Sequence, residues 1–177
     1  MKKVLAALLI LFSFQQCKKT DHHSHSEKDS NQPIHVTSNA GKEWNVFGVK
    51  IVGKIMSEDT QGEYSVIITE TPPEGGPPKH VHKHEDELFY VMKGTYEFYC
   101  GDTTLVAKQG DMVRLPKGIP HHFKNVDSIQ GVTMNTITPG GFESFFDDVA
   151  KASEQRKLTR KEIDSIANSY GMSFIKN

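Results

Sequence analysis

Residues 80–87 hold six side chains that can bind a metal ion or transfer protons. They are His80, His82, His84, Glu85, Asp86 and Glu87. The apolar and aromatic run that follows predicts a strand. His80 and His82 are two positions apart, so on an extended strand both imidazoles point to the same face. Two imidazoles and a carboxylate that converge on one point predict a nitrogen-and-oxygen metal site, and the sequence offers a third imidazole at His121.

A second pair of histidines lies in the stretch GIPHHFKN. If this stretch is extended, alternation puts Ile119, His121 and Phe123 on one face and His122 and Lys124 on the other. Because the lysine should face solvent, His121 is predicted to face the interior. His122 is predicted to be an outward surface histidine.

The two stretches together resemble the two sequence motifs of the cupin superfamily. The first motif, a His-x-His pair followed by Glu and then Gly, is matched at His80, His82, Glu87 and Gly94. The second is matched at Gly110, Pro116, Gly118, His121 and Asn125. The leading glycine of the first motif departs slightly, because Gly75 lies one position closer to His80 than the pattern expects. The resemblance covers roughly residues 41–141, and the two motifs are specific only in combination.

The resemblance implies a jelly-roll β-barrel that binds one divalent transition metal ion. The ligands it implies are His80, His82, Glu87 and His121. Such a set suits Mn, Fe, Co, Ni, Cu or Zn, and ligand identity does not choose among them. The alternative is a barrel that has kept its shape and lost its metal.

The chain resembles single-domain cupins of the quercetin-2,3-dioxygenase type, which have a TPGGFE-type stretch after the barrel, here at residues 138–143. This similarity implies an oxygenase that acts on a small chelating enol, catechol or 2-oxo acid. Glu87 is the candidate catalytic residue, which either stays on the metal or accepts a proton from the substrate. Two alternatives stay open: a metal-bearing binding module without turnover, and a metal-dependent isomerase or lyase.

Several neighbours of the motif have two interpretations. His84 is either an acid/base group at the mouth of the barrel or a solvated histidine. Glu85 and Asp86 are predicted to be rim charges, and they are the fallback oxygen ligands if Glu87 does not bind metal. The candidates for the apolar wall of the site are Phe89, Val91, Met112, Phe123 and Met134.

The elements that must position these residues are short strands separated by turn residues, without intervening helices, which predicts an antiparallel sandwich or barrel. Besides the strand at His80, they are predicted at 44–47, 49–55, 63–69, 87–92, 96–100, 103–107, 112–115, 119–123 and 130–137. The Pro/Gly-rich stretch 71–78 cannot continue a central strand and should deliver the chain to His80.

The C-terminal part has helical periodicity. Phe142, Phe145, Phe146 and Val149 share one helical face. They are predicted to be core contacts laid on the barrel. A second helix should begin with a capping box at Thr159 and Glu162 and end near Gly171, before a short extended tail. The fold class is therefore all-β with C-terminal helices, with a barrel over residues 34–139 and a helical segment over residues 140–177.

The N-terminal part has the features of an exported lipoprotein. Lys2 and Lys3 precede an apolar run that is too short to span a bilayer, which indicates a signal peptide over residues 1–16. Cys17 follows and is predicted to carry lipid, although Gln16 stands where the lipoprotein pattern prefers a small residue. Residues 17–33 then form a flexible polar tether. The protein is thus expected in the periplasm or cell envelope, held on a membrane.

Charge and cysteine content limit the other partners. The formal net charge of the 177 residues is -1, so no nucleic-acid partner is expected. Cys100 is the second of two cysteines, and it is either a free, buried thiol or the disulfide partner of Cys17.

The strand after Glu87 is apolar on its outer face as well, because Leu88, Tyr90 and Met92 should face outward. The C-terminal helices or a second copy in a homodimer would cover these side chains.

Overall fold

A computed structural model describes residues 32–175 of the chain. Two antiparallel sheets pack face to face as a jelly roll, and two helices follow near the C-terminus. This confirms the predicted fold class. The predicted signal peptide, the lipid site at Cys17 and nearly all of the tether lie outside the described residues.

The chain passes repeatedly from one sheet to the other after the first three strands, which lie in the same sheet. Their bounds are β1 Lys42–Val46, β2 Val49–Ile55, β3 Ser65–Thr71, β4 His80–His82, β5 Asp86–Lys93, β6 Thr95–Cys100, β7 Thr103–Lys108, β8 Met112–Leu115, β9 His121–Asn125, β10 Gly131–Thr138 and β11 Met172–Phe174. The helices are α1 Glu143–Ser153 and α2 Arg160–Ser169. One sheet has the order β1-β2-β3-β10-β5-β8, and the other has the order β11-β4-β9-β6-β7.

Two predicted strands are displaced by two residues. The strand predicted at residues 63–69 is β3, Ser65–Thr71, because a short 3₁₀ helix at Ser57–Asp59 and the turn after it occupy the chain until then. The strand predicted at residues 119–123 is β9, His121–Asn125. Pro120 has no N–H to donate to a ladder, and its carbonyl accepts a bond from Gly101 N outside the strand.

The interior is filled by two apolar clusters. One lies between β1, β2 and the C-terminal helices, and its members include Trp44, Val46, Ile51, Phe142, Phe145 and Phe146. The other lies between β5, β6, β8 and β9, and its members include Phe89, Val91, Phe98, Leu115 and Phe123. Cys100 is half-buried and packs against the second cluster. The aromatic residues of the first helix are therefore core contacts, as predicted.

The second C-terminal helix, α2, begins and ends as the sequence predicts. Thr159 and Glu162 form the capping box at the start of α2. Gly171 follows the helix with a φ of +71°, which a side chain would strain. A Cβ there would also lie 2.5 Å from the ring of His84. This turn lets β11 pair with β4, so the expected extended tail becomes the edge strand beside the histidine pair.

No helix within residues 32–175 combines the length and the apolarity that crossing a bilayer requires.

Candidate metal centre

Two strands bring the predicted histidines together. His80 and His82 point inward from β4, and both are buried. β9 pairs with β4 so that His121 lies directly opposite His80. The rings of His80 and His121 are 4.6 Å apart between centroids, and those of His80 and His82 are 5.0 Å apart. The prediction that Ile119, His121 and Phe123 share the inward face is confirmed for His121 and Phe123. It is wrong for Ile119, which precedes β9 and is exposed.

Glu87 reaches the histidines from the opposite sheet. It is buried on β5, and its Oε2 lies 3.1 Å from Nε2 of His121 and 3.9 Å from Nε2 of His82. One donor atom from each of the four residues lies within 4.8 Å of the others. Two donors that bind one ion at about 2.0–2.2 Å are at most about 4.4 Å apart. Side-chain shifts of a few tenths of an ångström would therefore bring all four donor atoms within bonding distance of one ion.

Backbone carbonyls orient two of the three imidazoles. Nδ1 of His80 lies 2.8 Å from the carbonyl oxygen of Pro78, and Nδ1 of His121 lies 2.8 Å from that of Ile119. Because a carbonyl can only accept, each Nδ1 must carry the proton and donate it. Each Nε2 then has a free lone pair, which is the form that binds a metal ion.

The protonation states also suit a metal ion. Burial, helped by the neighbouring His82, lowers the pKa of His80 to about 3, so this imidazole is neutral at pH 7. Burial alone would raise the pKa of Glu87, but His121, which donates to this carboxylate when its ring is protonated, and the other nearby imidazoles outweigh it and lower the pKa to about 2. A neutral imidazole beside an ionised carboxylate is the state that coordination requires. The four residues therefore fit a divalent ion.

Glu85 is not a rim charge, contrary to the prediction. It is buried, and its Oε2 lies 3.4 Å from Nδ1 of His82. Neither atom makes a hydrogen bond to any described residue. Glu85 thus takes the position behind His82 that backbone carbonyls take behind His80 and His121. The turn between β4 and β5 folds this carboxylate inward. In the sequence, only the spacing of three residues between His82 and Glu85 could have indicated this contact.

The other candidate residues lie away from the cluster. Asp86 accepts hydrogen bonds from Lys117 N at 2.8 Å and from Arg114 at 2.9 Å, so it joins two strands at the surface. His84 is exposed beside Gly171 and lies outside the barrel. His122 faces outward as predicted, where it stacks on Tyr99 with a centroid distance of 4.2 Å.

An apolar cavity of about 80 Å³ opens onto the histidine pair and Glu87. Of the five residues predicted to form its wall, only Phe123 lines it. Phe89 and Val91 face inward but belong to the second core cluster, and Met112 is 59% exposed. Met134 occupies an outward position of β10, because the inward positions are the buried Thr133, Asn135 and Ile137.

The wall instead comes from elements far away in the sequence. β1 and β2 contribute valines and an isoleucine, α1 and the residue before it contribute three phenylalanines, and β11 contributes Met172 and Phe174. The rings of Phe142 and His82 are 4.4 Å apart and meet edge to face. Asn135 and Thr69 add polar groups inside the barrel. Strand alternation could have indicated that Asn135 lines the site, because it is a polar residue at an inward position of β10.

Comparison with known proteins supports the cupin superfamily. Residues 67–134 match the Cupin_2 family, described as a cupin domain. Quercetin 2,3-dioxygenase of Bacillus subtilis (strain 168) is 26% identical over 89 residues, which are 50% of this chain and 26% of that protein. The chain thus matches about a quarter of the length of this relative.

Solved structures share the fold at low sequence identity. KdgF from Halomonas sp. has a TM-score of 0.57 and 12% identity, and the alignment covers 64% of this chain and 99% of that one. A predicted oxalate decarboxylase from Thermotoga maritima has a TM-score of 0.55 and 19% identity, with coverage of 60% and 99%. At these identities the likeness concerns the jelly roll, not the reaction.

Proposed function

We propose that this protein is a metal-dependent cupin oxygenase that acts on a small molecule with adjacent oxygens, such as an enol, a catechol or a 2-oxo acid. The observation that carries the proposal is a buried set of three imidazoles and one carboxylate at the end of an apolar cavity. The match to a quercetin 2,3-dioxygenase supports the choice of an oxygenase.

The chain's own residues would hold the ion and keep water away from it. His80, His82 and His121 would supply three nitrogen ligands, and Glu87 would supply an oxygen ligand. Four protein ligands leave one open position on a five-coordinate ion and two on a six-coordinate ion, and the six-coordinate ion has room for two substrate oxygens. When bound, a divalent ion supplies Lewis-acid activation and, if it is redox-active, a route for reaction with O₂.

Glu87 is the candidate proton acceptor. With a pKa of about 2 it is an anion at neutral pH, and its Oε2 faces the histidines. A carboxylate with so low a pKa would accept a proton only from a substrate hydroxyl that coordination has already made acidic. The aromatic wall around Phe142 excludes water, which strengthens these electrostatic interactions. A dioxygenase reaction then places both atoms of O₂ in the product and needs no external reductant.

Metal content tests the first part of this proposal. Protein purified without an affinity tag should contain about one divalent transition ion per chain, as expected for a single cluster of this kind. His121→Ala should lower the content strongly, whereas His122→Ala, the matched control on the outward face, should retain it. Full occupancy in a His82→Ala, His121→Ala double variant would refute the metal site.

Oxygen consumption tests the second part. Iron-, manganese-, nickel- and copper-loaded protein should consume O₂ in the presence of a small catechol or enol, and the His121→Ala variant should not. A fully loaded protein that binds these molecules without consuming O₂ or changing them would be a binding module. Rearrangement or cleavage of the molecule without O₂ would instead indicate an isomerase or lyase.

A further inference from the structure

Asn135 is a buried polar residue whose side chain is only partly satisfied. It is 3% exposed, and it lines the cavity. Its Nδ2 lies 3.4 Å from Oγ1 of Thr69, which is a long hydrogen bond, and its Oδ1 has no partner among the described residues. A buried carbonyl oxygen without a partner is costly and therefore needs an explanation.

The strand register places Asn135 beside the metal-binding cluster. On β10 it pairs with Phe89 of β5, whereas Glu87 pairs with Ile137. Asn135 and Glu87 are thus inward-facing diagonal neighbours on adjacent strands, which are typically about 7–8 Å apart. A small molecule that reaches the cluster with one end can reach the amide with the other.

The size of the cavity limits that molecule. With about 80 Å³ available, and roughly 10–15 Å³ needed for each water molecule, there is room for the equivalent of about five to eight waters. A single ring with two or three hydroxyl groups has about this size. A flavonol, which has three rings, is larger than this volume and would extend out of the cavity.

We propose that Asn135 selects the substrate by accepting a hydrogen bond from a hydroxyl group of a single-ring or smaller molecule whose adjacent oxygens face the histidines. This inference rests on the proposed metal-dependent function, because it takes the cluster as the anchor for the other end of the molecule. This selectivity would distinguish the protein from enzymes that act on flavonols, because both the cavity and the Asn135 amide suit a smaller, hydroxylated ligand.

Binding to zinc-loaded protein without oxygen tests the proposal, because zinc is redox-inert and no turnover is needed. The probes for calorimetry are catechol, benzene-1,2,3-triol, benzene-1,2,4-triol and 3-hydroxyflavone. At least one triol should bind about tenfold more tightly than catechol, since it adds one hydrogen bond to an otherwise unpaired group. 3-Hydroxyflavone should bind more weakly than catechol.

Two variants assign the preference to the amide. Asn135→Leu should lose the preference for the triol, retain its zinc and have a melting temperature equal to or above that of the parent, because an unpaired buried oxygen is removed. Thr133→Val is the matched control. It removes a buried hydroxyl from the same face of β10 outside the cavity wall, and it should keep the preference.

Five results would overturn the inference. On the parent protein they are equal binding of catechol and both triols, no binding of any probe, and tighter binding of 3-hydroxyflavone than of catechol. On Asn135→Leu they are a triol preference that survives, and a lower melting temperature together with lost zinc. A failure of the oxygenase proposal looks different, because O₂ consumption would be absent while the triol preference and its loss in Asn135→Leu remain.

Discussion

Each imidazole of the cluster has an acceptor behind it. His80 and His121 donate from Nδ1 to neutral carbonyl oxygens, whereas Nδ1 of His82 faces the carboxylate of Glu85. A carboxylate behind a metal-binding histidine fixes the tautomer and makes the imidazole a stronger donor to the ion. The buried charge of Glu85 also adds to that of Glu87 in offsetting the two positive charges of a divalent ion.

Glu85 should therefore affect metal affinity. We expect Glu85→Leu to weaken zinc binding by about 10–100-fold, the usual effect of removing such a partner. Glu85→Gln should weaken it less, because the amide oxygen can still accept from Nδ1. The measurement is a competition titration with a chelator of known affinity.

The neighbouring carboxylate provides the control. Asp86→Asn alters the contacts to Lys117 and Arg114 at the surface and should leave zinc affinity unchanged. If Glu85→Leu bound zinc within about twofold of the parent, Glu85 would have no positioning role.

At the scale of elements, the start of α1 is held against the barrel by a buried carboxylate. Oε1 of Glu143 accepts a hydrogen bond from Ser57 N at 2.6 Å, and Oε2 accepts one from Gly141 N at 2.9 Å. At the next turn Trp44 Nε1 donates to Asp147 at 2.8 Å. These contacts keep the phenylalanines of α1 on the cavity wall, so the helix is part of the site.

Glu143→Gln should lower stability in a pH-dependent way. Burial would raise the pKa of Glu143, but the hydrogen bonds from Ser57 and Gly141 outweigh it, and the pKa is lowered from 4.5. A lowered folded-state pKa contributes stability that is fully present above about pH 4.5 and is lost as the pH falls through the folded-state pKa. We expect a loss of about 1–3 kcal/mol at pH 7 that shrinks below about pH 4.5.

Urea unfolding at several pH values measures this difference. Glu154→Gln, an exposed position just beyond the same helix, should change stability by less than about 0.5 kcal/mol at every pH. A Glu143→Gln effect that stayed constant down to pH 3 would show that the ionised carboxylate is not what holds the helix.

At the scale of the whole molecule, the outer face of β5 and β8 is apolar and uncovered by the described residues. Leu88 is 38% exposed, Met92 is 42% exposed and Met112 is 59% exposed. The C-terminal helices, one of the two predicted covers, pack against β1 and β11 instead. An apolar sheet face of this kind is typical of an interface between copies of a chain.

We therefore expect a two-fold dimer through this face. Light scattering on the chain without residues 1–33 should give the mass of a dimer at micromolar concentration. Met112→Lys should make it a monomer, because a buried unpaired charge disfavours the interface. Val106→Lys is the control, since Val106 is 60% exposed but lies on β7 of the other sheet. A monomeric parent protein would contradict the prediction.

The cellular location stays a prediction from the N-terminal sequence. Native protein should lack residues 1–16 and carry lipid on Cys17, so that a polar tether holds the barrel on a membrane. Mass spectrometry of the first peptide measures both features. An unmodified Cys17 thiol would contradict the lipid anchor, and an intact Met1 would contradict export.

Local patterns were sufficient for much of the fold and of the site. Strand alternation, the caps of α2 and the spacing of the two motifs depend only on residues that are near one another in the chain. The motif spacing and the alternation around His121 predicted the four residues that the structure brings together, and alternation also distinguished His121 from His122.

Only the tertiary structure decided what surrounds that cluster. The burial of Glu85 depends on how the turn between β4 and β5 folds back, and the wall of the cavity depends on where α1 and β11 dock. The place of Asn135 beside Glu87 depends on the register of β10 against β5. Strand register and docking are set by contacts between residues that are distant in the sequence, and a shift of one residue would turn Asn135 to the outer face.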